Sequence, residues 1–224
     1  MNPPKLSGRL IGRERQPIVV IDHFHPDPEQ LAELAAKAQF EPGQRFYPGI
    51  RAPLPPDYFA LVREPLVTAL GEVFGQPSAI DLTDASFSIV TKTPSELSVE
   101  QRIPHVDSVG PGRIALVHYL ARNSSDGTAF FRHRSTGFES IDEGRSAAYL
   151  AQLNRELSAA SPPAEYVDDS SALFERIELV EARYNRAVLY RSGSLHSGAI
   201  RRGATLDPDP AHGRLTVTAF LSLS

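Results

Sequence analysis

In residues 214–222, RLTVTAFLS, polar and apolar side chains alternate from Arg214 to Ala219. This period of two is typical of a β-strand, because successive side chains point to opposite faces of a sheet. Arg214, Thr216 and Thr218 therefore share one face, which points inward if the sheet closes into a barrel. The alternative is an edge strand whose polar face contacts solvent.

The same period predicts seven further strands before this run. They are residues 85–92 (ASFSIVTK), 103–107 (IPHVD), 113–121 (RIALVHYLA), 128–133 (TAFFRH), 173–181 (LFERIELVE), 186–191 (RAVLYR) and 195–201 (LHSGAIR). Eight short strands separated by turns predict a jelly roll or a related sandwich, since two closed sheets hide each other's edges. A helix over 141–159, with Tyr149, Leu153 and Leu157 on one face, is expected as an insertion at about 140–160.

The N-terminal third shows helical patterns instead. A strand over 17–22 precedes Asp27 and Pro28, which are typical of a helix N-cap and of the first helical position. Residues 42–56 predict an extended, proline-stiffened loop, in which we expect Tyr47, Pro48 and Arg51 to form a packed cover.

A second helix is predicted over about 57–75, with a kink at Pro65. We therefore expect a mainly β, single-domain chain over 1–224, in which residues 1–84 form a helical layer on a β core of residues 85–224.

Composition excludes several classes of function. The chain has a net charge of −4, which argues against a general electrostatic grip on nucleic acid or on anionic lipid. No run approaches the ~20 apolar residues of a membrane span, so we expect a cytoplasmic protein without a membrane partner. The absence of cysteine excludes disulfides, thiol nucleophiles and Cys-based metal sites, which leaves the seven histidines and the carboxylates as metal ligands.

His105 and Asp107 lie two residues apart and would share one face of a strand. With His196 on a later strand they match the two-histidine, one-carboxylate triad that binds non-haem Fe(II) and leaves open positions for other ligands. The doublet alone is weak evidence, because about 0.4 such doublets are expected by chance. An inward Arg214 could bind a carboxylate as a bidentate pair, with a further hydrogen bond from Thr216.

Other histidines offer weaker signals. His23, His25 and Asp27 spell an HxHxD pattern found in zinc hydrolases, but Asp27 is better placed as a helix N-cap. His118 should pack outside the barrel, and His212 should be solvated. His133 lies within the charged segment 131–134 (FRHR), where a buried polar network and a role in substrate binding are equally open.

The segments QRIPHVD, GTAFFRHRSTGFE, NRAVLYRSGSLHSG and GRLTVTAFL together resemble the Fe(II)/2-oxoglutarate-dependent dioxygenase superfamily. The resemblance covers about residues 85–222 and lies nearest to the prolyl-hydroxylase-like branch, in an uncharacterised bacterial family. It implies a double-stranded β-helix core and the cofactors Fe(II), 2-oxoglutarate and O2.

The resemblance also implies residue roles. His105, Asp107 and His196 would hold iron, and Arg214 would anchor 2-oxoglutarate with a hydrogen bond from Tyr119. Phe130 would lie against the co-substrate. The interval from His196 to Arg214 is longer than is usual in the superfamily, so Arg201 and Arg202 are competitors for the anchor.

Three functions follow from the sequence. The first is an oxygenase that hydroxylates a small molecule, an amino acid or a peptide. The second is a cupin-like metal hydrolase or isomerase that does not use 2-oxoglutarate, and the third is a non-catalytic binding module. We expect no nucleic-acid partner, and a homodimer is left open.

Overall fold

The computed structural model describes residues 2–43, 47–122 and 126–224. These residues are mainly β. The strands are β1 (Lys5–Ile11), β2 (Gln16–Asp22), β3 (Glu41–Pro42), β4 (Gly49–Pro53), β5 (Ile80–Val90), β6 (Arg113–Tyr119), β7 (Gly127–His133), β8 (Phe174–Glu181), β9 (Arg186–Arg191), β10 (His196–Gly198) and β11 (Leu215–Leu223). The helices are α1 (Pro28–Lys37), α2 (Tyr58–Leu61), α3 (Arg63–Val73) and α4 (Glu143–Ala159). In the described part of the chain, no helix is both long and apolar enough to span a membrane.

The strands form two antiparallel sheets. The large sheet has the order β1-β2-β9-β6-β11-β5-β4-β3, and the small sheet has the order β10-β7-β8. Neighbours in the large sheet are often distant in sequence, as where β11 lies between β5 and β6. This order brings the ends of the β-rich region together at the centre of the sheet.

The central strands of the large sheet, such as β2, are buried on both faces, and the period of two decides which side chain faces which neighbour. Val19 and Ile21 of β2 pack with the helices α1 to α3. Ile18 and Val20 pack on the opposite face, in a cluster that includes side chains from the small sheet. The large sheet is therefore the middle layer between the helices and the small sheet.

Helix α4 covers the other face of the small sheet. Its residues Tyr149 and Leu153 pack against Phe131 of β7 and Phe174 of β8. The predicted helix over 141–159 is thus present, and its side chain N-cap is Asp142, whose carboxylate accepts a hydrogen bond from the Arg145 N–H at 2.9 Å. The predicted cap of α1 is also present, because Asp27 Oδ1 accepts from the Gln30 N–H at 3.0 Å.

The strand predicted over 103–107 is wrong as a regular strand. A short 3-10 turn over Val99–Arg102 precedes this segment, and His105 forms an isolated bridge with His196. Pro104 has no N–H with which to extend the ladder. The strand predicted over 195–201 is likewise shortened to β10, which spans His196–Gly198.

The loop predicted over 42–56 contains β3 and β4. An extended, proline-rich backbone suits an edge of a sheet, where the missing N–H groups do no harm. Gly49 lies so close to β5 that a Cβ there would stand 1.9 Å from the Ile89 carbonyl oxygen, so only glycine fits. Residues 44–46 of the predicted loop lie outside the described residues.

The helix predicted over 57–75 is divided into α2 and α3 at Val62, rather than kinked at Pro65. Pro65 lies in the first turn of α3, where backbone N–H groups have no partner within the helix, so the proline is tolerated there. Strand β1 was not predicted, because most of its side chains are exposed and its sequence does not alternate.

The turn between β1 and β2 rests on a buried carboxylate. Glu139 accepts hydrogen bonds from the backbone N–H groups of Arg13 at 3.0 Å and Glu14 at 2.9 Å, and from Arg132 Nε at 2.8 Å. Gly12 has a φ of +65°, and a Cβ there would stand 2.0 Å from Glu139 Oε2. Burial alone raises the pKa of Glu139, but the two N–H groups and Arg132 outweigh it and hold the pKa below its usual value.

We predict that Glu139→Gln lowers the free energy of unfolding by about 3 kcal/mol, because it breaks a buried ion pair of Arg132. The matched control is Glu175→Gln, which removes the second partner of Arg132 and should cost less than about 1 kcal/mol. The Glu175 side chain is 43% exposed, against 1% for Glu139. Denaturant unfolding measures both, and equal losses would contradict the prediction.

The Glu139 carboxylate also makes the stability of the folded protein depend on pH. Because its folded pKa is lowered, Glu139 contributes fully above its unfolded pKa of about 4.3, and this stability is lost as the pH falls through the lower folded value. Glu139→Gln should therefore flatten the acid side of the stability profile.

Candidate metal centre and its cavity

His105, Asp107 and His196 meet in the structure. The backbone N–H of His105 donates to the His196 carbonyl at 2.9 Å, and the His196 N–H donates to the His105 carbonyl at 2.9 Å. The Asp107 N–H donates to the Ser192 carbonyl, also at 2.9 Å. These backbone hydrogen bonds hold the segment that bears the doublet against the segment that bears the second histidine.

The three side chains converge on one point. His105 Nε2 lies 3.7 Å from Asp107 Oδ1, and His196 Nε2 lies 3.4 Å from Asp107 Oδ2. One ligand atom from each residue lies within 4.8 Å of the others. Ligands with bonds of about 2.1 Å to one metal ion are separated by roughly 3 Å or slightly more, so these side chains fit an ion with small adjustments.

The protonation of the cluster also suits a cation. His196 Nδ1 donates to the Ser194 carbonyl at 3.0 Å, which leaves the lone pair of Nε2 for a metal. Desolvation lowers the pKa of His196 to about 4. Desolvation and the neighbouring His196 also lower the pKa of His105, so both rings are neutral at pH 7. Burial raises the pKa of Asp107 to about 6, which still leaves it mainly ionised at pH 7.

The triad opens into a cavity of about 970 Å³, which also contains Arg214 and Thr216. This volume lies in the range of small-molecule sites. A second concavity, between β1 and β8, is lined mainly by charged side chains and contains none of the predicted site residues. The triad cavity is therefore the candidate functional site.

Arg214 lies in the cavity wall, with its side chain largely buried. Its Nε donates to Asp126 Oδ2, and its Nη2 donates to the Gly127 carbonyl at 3.0 Å. A Cβ on Gly198, two residues after His196, would stand 3.8 Å from Arg214 Nη2. The predicted inward face of β11 is thus confirmed by the burial of Arg214 beside the strand that carries the second histidine.

The competing arginines do not line this cavity. Arg202 is exposed and pairs with Glu165, and Arg201 is exposed as well. Arg214 is therefore the arginine of the three that faces the site.

The remaining predicted cofactor residues lie around Arg214. Thr216 lines the cavity, and its hydroxyl donates to the Ser88 carbonyl at 3.1 Å. Tyr119 is buried behind the wall, where its hydroxyl is 2.7 Å from the hydroxyl of Thr128. Phe130 also lies behind the wall and packs on Tyr190, with ring centroids 5.1 Å apart. Contact of Tyr119 or Phe130 with a co-substrate stays a prediction.

Four of the five other histidines have structural partners, namely His25, His118, His133 and His212. His118 is buried against the helices, between the Tyr58 hydroxyl at 3.1 Å and Asn185 Oδ1 at 3.0 Å. His133 contacts Glu156 at 2.7 Å and packs on α4. His212 is exposed in its loop, where its ring lies 3.2 Å from Asp209. His25 accepts from the Asp27 N–H at 3.1 Å, as expected if HxHxD marks the start of a helix.

The charged side chains of segment 131–134 contact other parts of the fold and do not line the cavity. Arg132 pairs with Glu139 and Glu175, and Arg134 Nε donates to the Ser171 carbonyl at 3.1 Å. For His133, the buried polar network is therefore the reading that its contacts favour.

Several cavity residues were missed from the sequence. Tyr190 packs on His196, with ring centroids 4.7 Å apart, and its place in the predicted strand over 186–191 was the available signal. Tyr149 and Leu153 of α4 also line the cavity, although their spacing in the sequence indicates only a packing face. Arg51, which belongs to the predicted packed cover, lines the cavity as well.

Two antiparallel sheets around a cluster of two histidines and one aspartate define a mainly β protein with a candidate metal centre. The chain belongs to a family of unknown function, DUF6445, whose model matches residues 2–221. No curated protein sequence matches the chain.

Several solved structures are similar to it, among them HygX, AviO1 and KdoO. HygX from Streptomyces hygroscopicus, solved with iron bound, has a TM-score of 0.49 at 13% identity, over 96% of this chain and 87% of HygX. AviO1 from Streptomyces viridochromogenes Tue57 has a TM-score of 0.48 at 12% identity, over 98% of this chain and 89% of AviO1. The Kdo hydroxylase KdoO, a non-haem Fe(II) α-ketoglutarate-dependent dioxygenase, has a TM-score of 0.34 at 11% identity, over 88% of this chain and 84% of KdoO.

We predict that Arg214→Gln lowers the free energy of unfolding by about 3 kcal/mol, because it breaks the buried ion pair between Arg214 and Asp126. The double variant Arg214→Gln/Asp126→Asn should recover most of this loss. Arg202→Gln, at an exposed ion pair, should cost less than about 1 kcal/mol. Chemical denaturation of the wild type, of Arg214→Gln, of Asp126→Asn and of the double variant measures the coupling, and strictly additive losses at 214 and 126 would refute it.

Proposed function

We propose that this protein is an Fe(II)- and 2-oxoglutarate-dependent oxygenase whose two sheets form a double-stranded β-helix core. The observation that carries the proposal is the convergence of His105 Nε2, Asp107 and His196 Nε2 at the end of a cavity. Two imidazoles and one carboxylate are the ligand set of non-haem Fe(II) sites with open positions for O2 and a co-substrate.

The residues present fit the metal. His105, Asp107 and His196 would hold it, and the Ser194 carbonyl fixes the His196 ring with Nε2 free. A bound Fe(II) would supply the activation of O2 that oxidises an unreactive C–H bond. Since position 107 is an aspartate and not glycine or alanine, no coordination position is vacated for a halide, and hydroxylation or a related oxidation is the expected outcome.

Arg214 would bind the distal carboxylate of 2-oxoglutarate. A guanidinium has five N–H donors, of which Asp126 and Gly127 each occupy one, so donors remain for a carboxylate. The pair with Asp126 holds the guanidinium in place before the co-substrate arrives. Thr216 lies two residues along the same face of β11 and would contribute its hydroxyl.

The protein's further task is to hold a substrate C–H bond near the metal and to keep water away from it. Tyr190 and the α4 residues Tyr149 and Leu153 supply bulky walls for this purpose. The absence of a basic, aromatic strip in the sequence favours a small molecule, an amino acid or a peptide as substrate. Cytoplasmic localisation remains part of this proposal.

The test is anaerobic addition of Fe(II) and 2-oxoglutarate to the purified protein. We expect one iron per chain and a weak visible charge-transfer band that requires both additions. His196→Ala should abolish iron binding and the band, whereas His212→Ala, in an exposed loop, should leave both intact. Iron binding without a band would instead indicate a cupin-like hydrolase or isomerase, and folded protein that binds no metal would indicate a binding module.

The choice of arginine is tested by the same band. Arg214→Gln should raise the 2-oxoglutarate concentration that gives half of the band by about 10- to 100-fold, since a charge-assisted hydrogen bond contributes about 1.5–3 kcal/mol. Arg201→Gln should leave it unchanged. The double variant with Asp126→Asn separates loss of binding from loss of stability, and the reverse order of the two arginines would show that Arg214 is not the anchor.

A further inference from the structure

Arg51 presents a preorganised charge to the cavity, where it also lowers the pKa of Asp107 against the larger effect of burial. It lies on β4, and its guanidinium stacks on the Tyr47 ring at 4.5 Å from the centroid. Its Nε is buried and has no hydrogen-bond partner among the described residues. Its nearest carboxylate is that of Asp84, whose Oδ2 lies 3.4 Å from Arg51 Nη1.

The surroundings of Arg51 differ from those of Arg214. Arg214 is paired with Asp126, which is itself buried. The Asp84 side chain is 56% exposed, and an ion pair at that exposure contributes about 1 kcal/mol or less. A buried guanidinium donor without a partner is costly unless a ligand supplies an acceptor. Arg51 therefore has the features of a binding residue rather than of a structural one.

Arg113 is the other lining arginine to consider, and it has no ion pair among the described residues. Its guanidinium leaves no buried nitrogen unsatisfied, unlike that of Arg51. Arg113 also has no aromatic ring beneath it that would hold the guanidinium in one orientation. Arg51 is therefore the better candidate for an anion.

Part of the wall contributed by other segments of the cavity is apolar, although Glu100 and Gln101 also line the cavity. The apolar part is formed by Ile103, Val106, Leu150, Leu153 and Ile200. Leu150 lies on α4 with about half of its surface exposed, so the cavity continues as an apolar surface. A ligand that contacts both Arg51 and this wall would carry an anionic group on an apolar body.

We propose that Arg51 binds a carboxylate of the substrate, and that the substrate is an organic acid with an apolar body. This inference rests on the proposed function, because it concerns the substrate of the same cavity. One guanidinium balances one negative charge, which favours a carboxylate over a doubly charged phosphate. Arg51 thus acts as a specificity-determining residue, distinct from the arginine assigned to 2-oxoglutarate.

The test uses the anaerobic complex with Fe(II) and saturating 2-oxoglutarate, titrated calorimetrically with hexanoate and with hexanamide, which has the same shape without the charge. We expect hexanoate to bind about tenfold more tightly than hexanamide. Arg51→Gln should reduce this preference to about twofold or less, and Arg51→Lys should retain part of it. Asp84→Asn should strengthen hexanoate binding, because it removes a competing carboxylate.

The controls are two other arginines. Arg9→Gln, on β1 and remote from the cavity, should leave the preference unchanged, and Arg113→Gln should change it far less than Arg51→Gln. Equal binding of the acid and the amide, a preference that survives Arg51→Gln, or no binding by acids from butanoate to octanoate would overturn the inference. Tighter binding of hexyl phosphate than of hexanoate would overturn the assignment to a carboxylate.

The visible band of the iron complex is recorded on the same samples, so the two proposals fail separately. A band without any preference for the acid would overturn the role of Arg51 alone. A preference that depends on Arg51, in protein that gives no band, would overturn the oxygenase function and would leave a cavity that binds organic acids.

Discussion

The backbone pairing of His105 with His196 is the interaction on which the candidate site depends. Two reciprocal hydrogen bonds of 2.9 Å fix these residues opposite one another and place their rings 4.4 Å apart. Because side chains alternate along extended backbone, a slip of one residue would turn an imidazole to the opposite face. The same register places Asp107 beside Ser192, so that its carboxylate reaches both rings. The geometry of the cluster is therefore a consequence of backbone pairing and not of the side chains alone.

That register is in turn held by the small sheet. Strand β10 has three residues, and it pairs with β7 on one side while His105 lies on the other. Phe130 stands directly opposite His196 in β7, and Tyr190 packs on the same imidazole from the large sheet. An aromatic layer behind the ring and the Ser194 carbonyl at Nδ1 restrict its orientation. The histidine is thus positioned by both sheets, which makes the closure of the β core a requirement for the site.

The sequence was sufficient for the parts of this arrangement that depend on local spacing. The interval of two residues predicted that His105 and Asp107 share a side, and both reach the cluster although the predicted strand is absent, because His105 still pairs with His196 in an isolated β-bridge. The alternation of β11 likewise predicted the inward Arg214. Contacts between distant segments left no such signal. Tertiary packing determines that Asp126 is the partner of Arg214 and that Glu139 lies beneath the first hairpin. The prolines around β4 made this strand look like a loop in the sequence, so the position of Arg51 at the cavity was not predicted.

The two arginines show how one cavity can separate two anions. A buried guanidinium needs a negative partner to offset the loss of its hydration. Asp126 is that partner for Arg214, and it neutralises part of the positive charge of Arg214. A partly neutralised charge would suit the proposed anchor of a co-substrate that binds and leaves in every cycle. Arg51 is held by stacking on Tyr47, which orients the guanidinium without neutralising it. Its charge remains available to a second anion, and the exposed Asp84 can yield its place because it is readily solvated. The difference in partners, rather than any difference in residue type, would then decide which anion each arginine binds.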